Sequence, residues 1–168
     1  MRRIISMLLQ NEAGALAHVA GMFAARGYNI ESLTVAATLD ASVSRLTLVT
    51  IGDDAVIDQI IKQSRKLIDV IDIADLTTRE YLETELAMLK IDVQPEALTA
   101  FVACLRRHPR AQVLDIAAGV RTLEYTGTGS EIGAFLVELA DVAPLLELAR
   151  SGTAALERGK AVLGLPGS

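Results

Sequence analysis

Apolar residues follow two alternating rhythms along this chain. Four stretches carry the i, i+3, i+4, i+7 spacing of one helix face. They are Leu16, Val19, Ala20 and Phe23; Ile57, Ile60, Ile61 and Ser64, widened by Val56 and Leu67; Leu98, Phe101, Val102 and Leu105; and Ile132, Phe135, Leu136 and Leu139. Between them lie segments that alternate in polarity or are rich in β-branched residues, which predicts strands. These are Arg3–Leu9, Asn29–Ala37, Ser44–Ile51, Val70–Leu76, Leu86–Val93, Gln112–Ile116, Val120–Thr126 and Leu145–Arg150. The order reads βαββαβ, then βαββαβ again. The first stripe recurs 82 positions on, at Leu98, and the second 75 positions on, at Ile132. A unit of roughly 75–80 residues is thus repeated in arrangement though hardly in sequence.

The fold class expected is α+β, two tandem ferredoxin-like units. Each would place two helices over one face of a four-stranded antiparallel sheet. The units are expected at 1–77 and 84–152, divided by the polar stretch Thr77–Thr84, with 153–168 left as a C-terminal tail. The other sheet face and the edge strands would then lie uncovered. An open edge on so small a core predicts a homodimer, built by side-by-side sheets or back-to-back helices.

Composition narrows the function classes. Hydrophobic residues make up 51% of the 168 positions, ample for packed cores. With 16 Lys and Arg against 21 Asp and Glu, the net charge is −5, which argues against nucleic-acid binding through a cationic face. Three Tyr, three Phe and no Trp leave little for a base-stacking platform, so a pair of RNA-binding ferredoxin-like domains is disfavoured. The three Phe are already used in the helix stripes. A single cysteine, Cys104, excludes an internal disulfide and a Cys₄ or Cys₃His zinc site. No apolar run approaches the ~20 residues of a membrane span, and Ile4–Leu9 is too short and too soon interrupted for a secretory signal. A cytoplasmic protein with no membrane association is expected.

The sequence carries no catalytic constellation, and no metal ligands are expected. His18 and His108 lack a Cys, Asp or Glu at ligand spacing; His18 is expected at the surface and His108, before Pro109, as a helix C-cap. Cys104 reads as a small buried hydrophobe. Gly127-Thr128-Gly129-Ser130 with Gly133 fails the dinucleotide spacing because Ile132 holds the third glycine's place. A turn with Ser130 as N-cap explains these glycines.

Asn11-Glu12-Ala13-Gly14-Ala15-Leu16 is more informative. It joins the first strand to the first helix, with Asn11 as a possible cap and Gly14 freeing the first turn. Unpaired N–H groups at a helix's positive end suit a small anion such as an amino-acid carboxylate. Gly14 and Ala15 would leave room for an aliphatic side chain. In a dimer, Asn29 of the second copy could take the ligand's ammonium group on its amide oxygen. The plainer alternative is a tight turn at Asn11 and Gly14, with Gly27 as a helix C-cap.

Several motifs go beyond pattern: Arg2-Arg3-Ile4-Ile5-Ser6, Asn11 through Leu16, Arg26-Gly27-Tyr28-Asn29-Ile30-Glu31-Ser32-Leu33-Thr34-Val35, Ser44-Arg45-Leu46-Thr47, Glu124-Tyr125-Thr126-Gly127 and Glu147-Leu148-Ala149-Arg150-Ser151-Gly152. Together they closely resemble the small, regulatory subunit of acetolactate synthase. The resemblance implies that the first unit is an ACT domain that dimerises and holds valine, or a related branched-chain amino acid, at the interface. Ligand-contact positions of the family fall on Asn11, Gly14 and Ala15 of one chain and on Asn29 and Ile30 of the other. It implies no cofactor in this chain; thiamine diphosphate, magnesium and FAD would belong to the catalytic large subunit. That partner would be activated by this chain and made sensitive to feedback inhibition by valine. The alternative function is a free-standing ACT-type sensor acting on another enzyme or a transcription factor. The chain departs from the family most at Thr77–Glu83 and at Val93–Arg110, where an apolar helix replaces a charge-rich segment.

Overall fold

The structure, a computed structural model, describes residues 1–164. Two units emerge: Met1–Leu82 joined by the segment from Gly152 onward, and Glu83–Ser151. The first unit is built from β1 (Arg2–Gln10), α1 (Ala15–Ala25), β2 (Ser32–Ala37), β3 (Val43–Ile51), α2 (Asp54–Ser64) and β4 (Val70–Asp75). Its antiparallel sheet has the order β2-β3-β1-β4. The second unit repeats the plan with β5 (Tyr81–Asp92), α3 (Leu98–Arg107), β6 (Ala111–Ala117), β7 (Val120–Gly127), α4 (Gly129–Ala140) and β8 (Leu145–Arg150), in the order β6-β7-β5-β8. Both orders are those of the ferredoxin-like fold, so the α+β expectation stands.

In the first unit Ile5, Met7 and Leu9 of β1 meet Leu46 and Leu48 of β3 beneath Val19, Phe23, Ile57 and Ile60. The buried face of α1 is Ala15, Val19, Met22 and Phe23, not the expected stripe from Leu16, which is 41% exposed. Ala-Leu-Ala-His-Val-Ala-Gly-Met-Phe is apolar nearly all round, so periodicity alone does not choose the inward side. In α3 the inward residues are Phe101 and Cys104, while Leu98 and Val102 lie at the surface. The stripe of α4 holds as expected, with Ile132, Phe135 and Leu139 buried. Phe135 stacks on Tyr125 at 4.6 Å between ring centroids in the second core.

The uncovered sheet face expected for the first unit is a correction. Every residue of β1 from Arg3 to Leu9 is buried, on both sides of the sheet. The segment after Gly152 lies over the second side: Ala155 and Leu163 pack with Ile4, Val49, Ala74 and Leu76. Part of this supposed tail is a further strand, β9 (Ala154–Glu157), which pairs with β5. Arg158 N–H donates to the Glu80 carbonyl, and an Arg79–Glu157 ion pair adds to the join. The expected polar divide holds a 3₁₀ turn at Leu76–Thr78, and β5 begins after two further residues, at Tyr81. Sequence periodicity does not reveal β9 because four residues are too few to show a repeat.

Local chemistry explains two turns. Thr128, not Ser130, caps α4: its hydroxyl accepts from Glu131 N–H, and the Glu131 carboxylate accepts from Thr128 N–H, a complete capping box. Arg110 also bonds Glu131, and the two contacts hold that carboxyl below its ordinary value of 4.5. Between β6 and β7 the two-residue turn Ala118-Gly119 has positive φ at both positions, 49° and 89°. Only the second is a glycine.

Ala118→Asn should raise stability by about 1 kcal/mol in urea titration, because asparagine tolerates the left-handed region that costs alanine roughly 1–2 kcal/mol. Glu131, and Glu147 beside Lys90, have carboxyls held down by their partners, so they stabilise the fold above pH 4.5. That contribution should disappear as pH falls through their lowered values. Glu131→Gln should therefore flatten the acid side of a plot of unfolding midpoint against pH.

Candidate functional site

The loop between β1 and α1 presents backbone N–H groups at an uncapped helix end. Gly14 is the N-cap residue, with φ of 97°, and no side chain caps the helix. This conformation is open to glycine and strained for other residues. No acidic residue of α1 sits in its first turn; the nearby carboxylate of Asp69 is engaged by His18. Ala15 N–H bonds the Glu12 carbonyl and His18 N–H the Gly14 carbonyl. The N–H groups of Leu16 and Ala17, lying between these two, have no acceptor within their own helix.

Asn11 does not cap the helix, contrary to expectation. Its amide nitrogen donates to the Ala41 carbonyl at 2.8 Å, and its amide oxygen accepts from the Ser44 hydroxyl at 2.9 Å. These bonds tie the loop to the start of β3, as does Asn11 N–H to the Ser42 carbonyl. Gly14 is exposed, whereas the Ala15 side chain is 4% exposed and belongs to the core. A ligand would therefore meet Ala15 through its edge and backbone rather than an open methyl.

Asn29 and Ile30 lie outside β2, which begins at Ser32 rather than at the expected Asn29. The Asn29 carbonyl accepts from the Thr50 hydroxyl at 2.6 Å, and its amide nitrogen donates to Glu31 at 2.5 Å. The amide oxygen, the atom expected to receive an ammonium group, belongs to an exposed residue. Ile30 is half-buried against the core.

Register decides how these groups relate. Thr50 pairs with Arg3 at one end of the sheet, while Val43 pairs with Gln10 at the other. Asn29 and Ile30 thus sit one full strand length from Asn11 and Gly14, on the order of 25 Å. One chain does not bring the five residues together. Nor do they line the cleft of about 280 Å³ between α2 and β4, whose walls carry Arg3, Arg65 and Arg79 against Asp54, Asp58 and Asp75.

Comparison with known proteins decides the family. Residues 5–72 match the description "AHAS small subunit-like ACT domain", and residues 84–159 match "Small subunit of acetolactate synthase". The acetolactate synthase isozyme 3 small subunit of Escherichia coli is 42% identical over 166 residues, covering 97% of this chain and 99% of that one. The chain belongs to the acetolactate synthase small-subunit family. The small subunit of Haemophilus influenzae is 39% identical, over 95% of this chain and 98% of its own. The crystal structure of the acetolactate synthase small subunit from Thermotoga maritima superposes with a TM-score of 0.85 at 31% identity, covering 96% and 99% of the two chains. Membership in the acetolactate synthase small-subunit family carries a regulatory role in branched-chain amino acid biosynthesis and association with a catalytic subunit.

Both histidines have acidic partners that sequence spacing does not reveal. His18 Nδ1 lies 2.6 Å from the carboxylate of Asp69, which is buried at the start of β4 and so flanks the first turn of α1. His108 is the C-terminal residue bounding α3, as expected, but its ring turns to Glu138 on α4, with Nε2 2.6 Å from Oε2. Cys104, His108 and Glu138 place one ligand-type atom each within 4.8 Å of one another. The expectation that His108 has no cysteine or carboxylate near it is thereby corrected. The signal was present in part: Cys104 and His108 are four residues apart, one helical turn. Burial, then Glu138, push the Cys104 thiol up, while His108 and Arg107 hold the Glu138 carboxyl down.

Proposed function

We propose that the first unit is the amino-acid sensor of an acetolactate synthase, holding valine between two copies of this chain. The observation that carries the reading is the separation just described. A two-fold pairing of first units can bring the Gly14 end of one copy to the Asn29 end of the other. Valine's carboxylate would rest on the first-turn N–H groups beyond Gly14, where partial positive charge and absent side chains favour an anion. Its ammonium group would meet the Asn29 amide oxygen of the second copy, and its side chain the apolar surface of Ile30 and Leu16. Exposure of Leu16 on α1 supports pairing there. So does β2, an edge strand reading Ser-Leu-Thr-Val-Ala-Ala without a charge or proline to keep copies apart.

Chemistry stays with the catalytic subunit, where thiamine diphosphate, magnesium and FAD would reside. This chain would act by population: without valine it favours the productive state of its partner, and valine at the seam favours the less productive one. A coupling of about 1–3 kcal/mol is enough for strong feedback.

Acetolactate production by the cognate catalytic subunit with this full chain, titrated with valine, provides the test. Gly14→Asp should retain activation and lose valine inhibition, because its carboxylate occupies the place of the ligand's own. Gly14→Ala carries the same backbone strain without charge, and a Cβ there meets only the His18 ring edge at 3.9 Å. It should keep most of the sensitivity. A Gly14→Asp complex inhibited as strongly as the parent would refute the assignment.

A further inference from the structure

We propose that Cys104, His108 and Glu138 bind a borderline-soft divalent metal ion, best matched by Zn²⁺, that clasps α3 to α4. The proposal is independent of the valine site. This is the one grouping of three His, Cys, Asp or Glu side chains with converging ligand atoms among the described residues. Its donor set, one thiolate, one imidazole and one carboxylate, suits Zn²⁺ or Co²⁺ better than magnesium or calcium, which prefer oxygen alone.

The geometry is close to what such an ion needs. Cys104 and His108 lie one turn apart on the inward face of α3, so their side chains reach the same point. Donor atoms around a tetrahedral zinc, at 2.0–2.3 Å from the ion, stand roughly 3.5 Å apart. The three atoms here lie within 4.8 Å of one another, so shifts of about 1 Å seat an ion among them, with His108 Nε2 and Glu138 Oε2, now 2.6 Å apart, opening to admit it.

The surroundings hold each donor in place. The His108 ring packs against Phe135 at 4.9 Å and Tyr125 at 6.1 Å, fixing its plane. Arg107 donates from Nε to Glu138 Oε1 at 2.5 Å, leaving Oε2 on the side of His108. A carboxylate oriented by a second partner in this way is a common support for a metal ligand. Cys104 is fully buried, whereas Glu138 is one-third exposed and gives the ion a way in.

Binding changes no oxidation state. The thiol proton leaves to solvent, the neutral His108 imidazole binds with its proton on the ring nitrogen away from the ion, and thiolate and carboxylate balance the ion's two charges. Three protein ligands leave a fourth position for water. In a chain whose family role is regulatory, the ion would brace the helix layer of the second unit.

The test uses the full chain, stripped with chelator under a non-thiol reductant and titrated with Co²⁺. Thiolate-to-cobalt charge-transfer absorption should saturate at one equivalent per chain, be abolished by added Zn²⁺, and be absent in Cys104→Ser. His108→Asn and Glu138→Gln should each weaken Co²⁺ binding at least about tenfold. Glu138 sits at the partly open flank, so Glu138→Gln answers the question even where a core variant does not fold. No charge-transfer band in the parent, or a band of unchanged affinity in Glu138→Gln, overturns the proposal.

Discussion

Strand β1 is sealed on both faces, and the first unit is organised around that requirement. Ile5, Met7 and Leu9 face the helices; Ile4 and its neighbours face the segment after Gly152. A strand buried on both sides has no tolerance for slippage, since a one-residue shift would exchange its two apolar sets. Its register with β3 runs unbroken from Arg2 to Gln10. That fixed ruler holds the loop bearing Asn11 and Gly14 at one end and the Thr50 anchor of Asn29 at the other.

Polar atoms inside the unit follow from the same burial. Arg3 is 7% exposed, yet its guanidinium meets Asp54, Asp75 and Thr77. Arg45 reaches the Ala155 carbonyl at 3.3 Å, and burial depresses its affinity for the proton. Arg45 lies where the segment after Gly152 meets the sheet, while Arg3 ties β1 to the start of α2 and the end of β4. Each fixes its neighbours, because an arginine stranded in apolar surroundings without these acceptors would be costly.

Much of this was legible in the sequence. The order of strands and helices, and the inward stripes of α2 and α4, follow from periodicity because polar residues mark their outward sides. Stripes fail where that contrast is missing: α1 is apolar nearly all round, and α3 turns Cys104 inward while Leu98 faces water. Gly14 at the helix start and Asn29 before the second strand were readable as candidate ligand groups, but their separation depends on register, a property of pairing across many residues. Contacts such as His18 with Asp69 and His108 with Glu138 span 51 and 30 positions, beyond any local pattern. Strand β9 was invisible for a related reason: its partner, β5, lies more than sixty positions upstream.

The return of the chain after Gly152 has a consequence for biogenesis. The first unit is discontinuous: Met1–Leu82 is made before the Glu83–Ser151 unit, and the segment after Gly152 that completes it is made afterwards. While the chain is still on the ribosome, Ile4, Val49, Ala74 and Leu76 lack the cover that Ala155 and Leu163 provide. The Glu83–Ser151 unit is complete in sequence before that cover is made. Synthesis therefore delivers the second unit as a finished sequence first, and the first unit is completed only when the segment after Gly152 emerges.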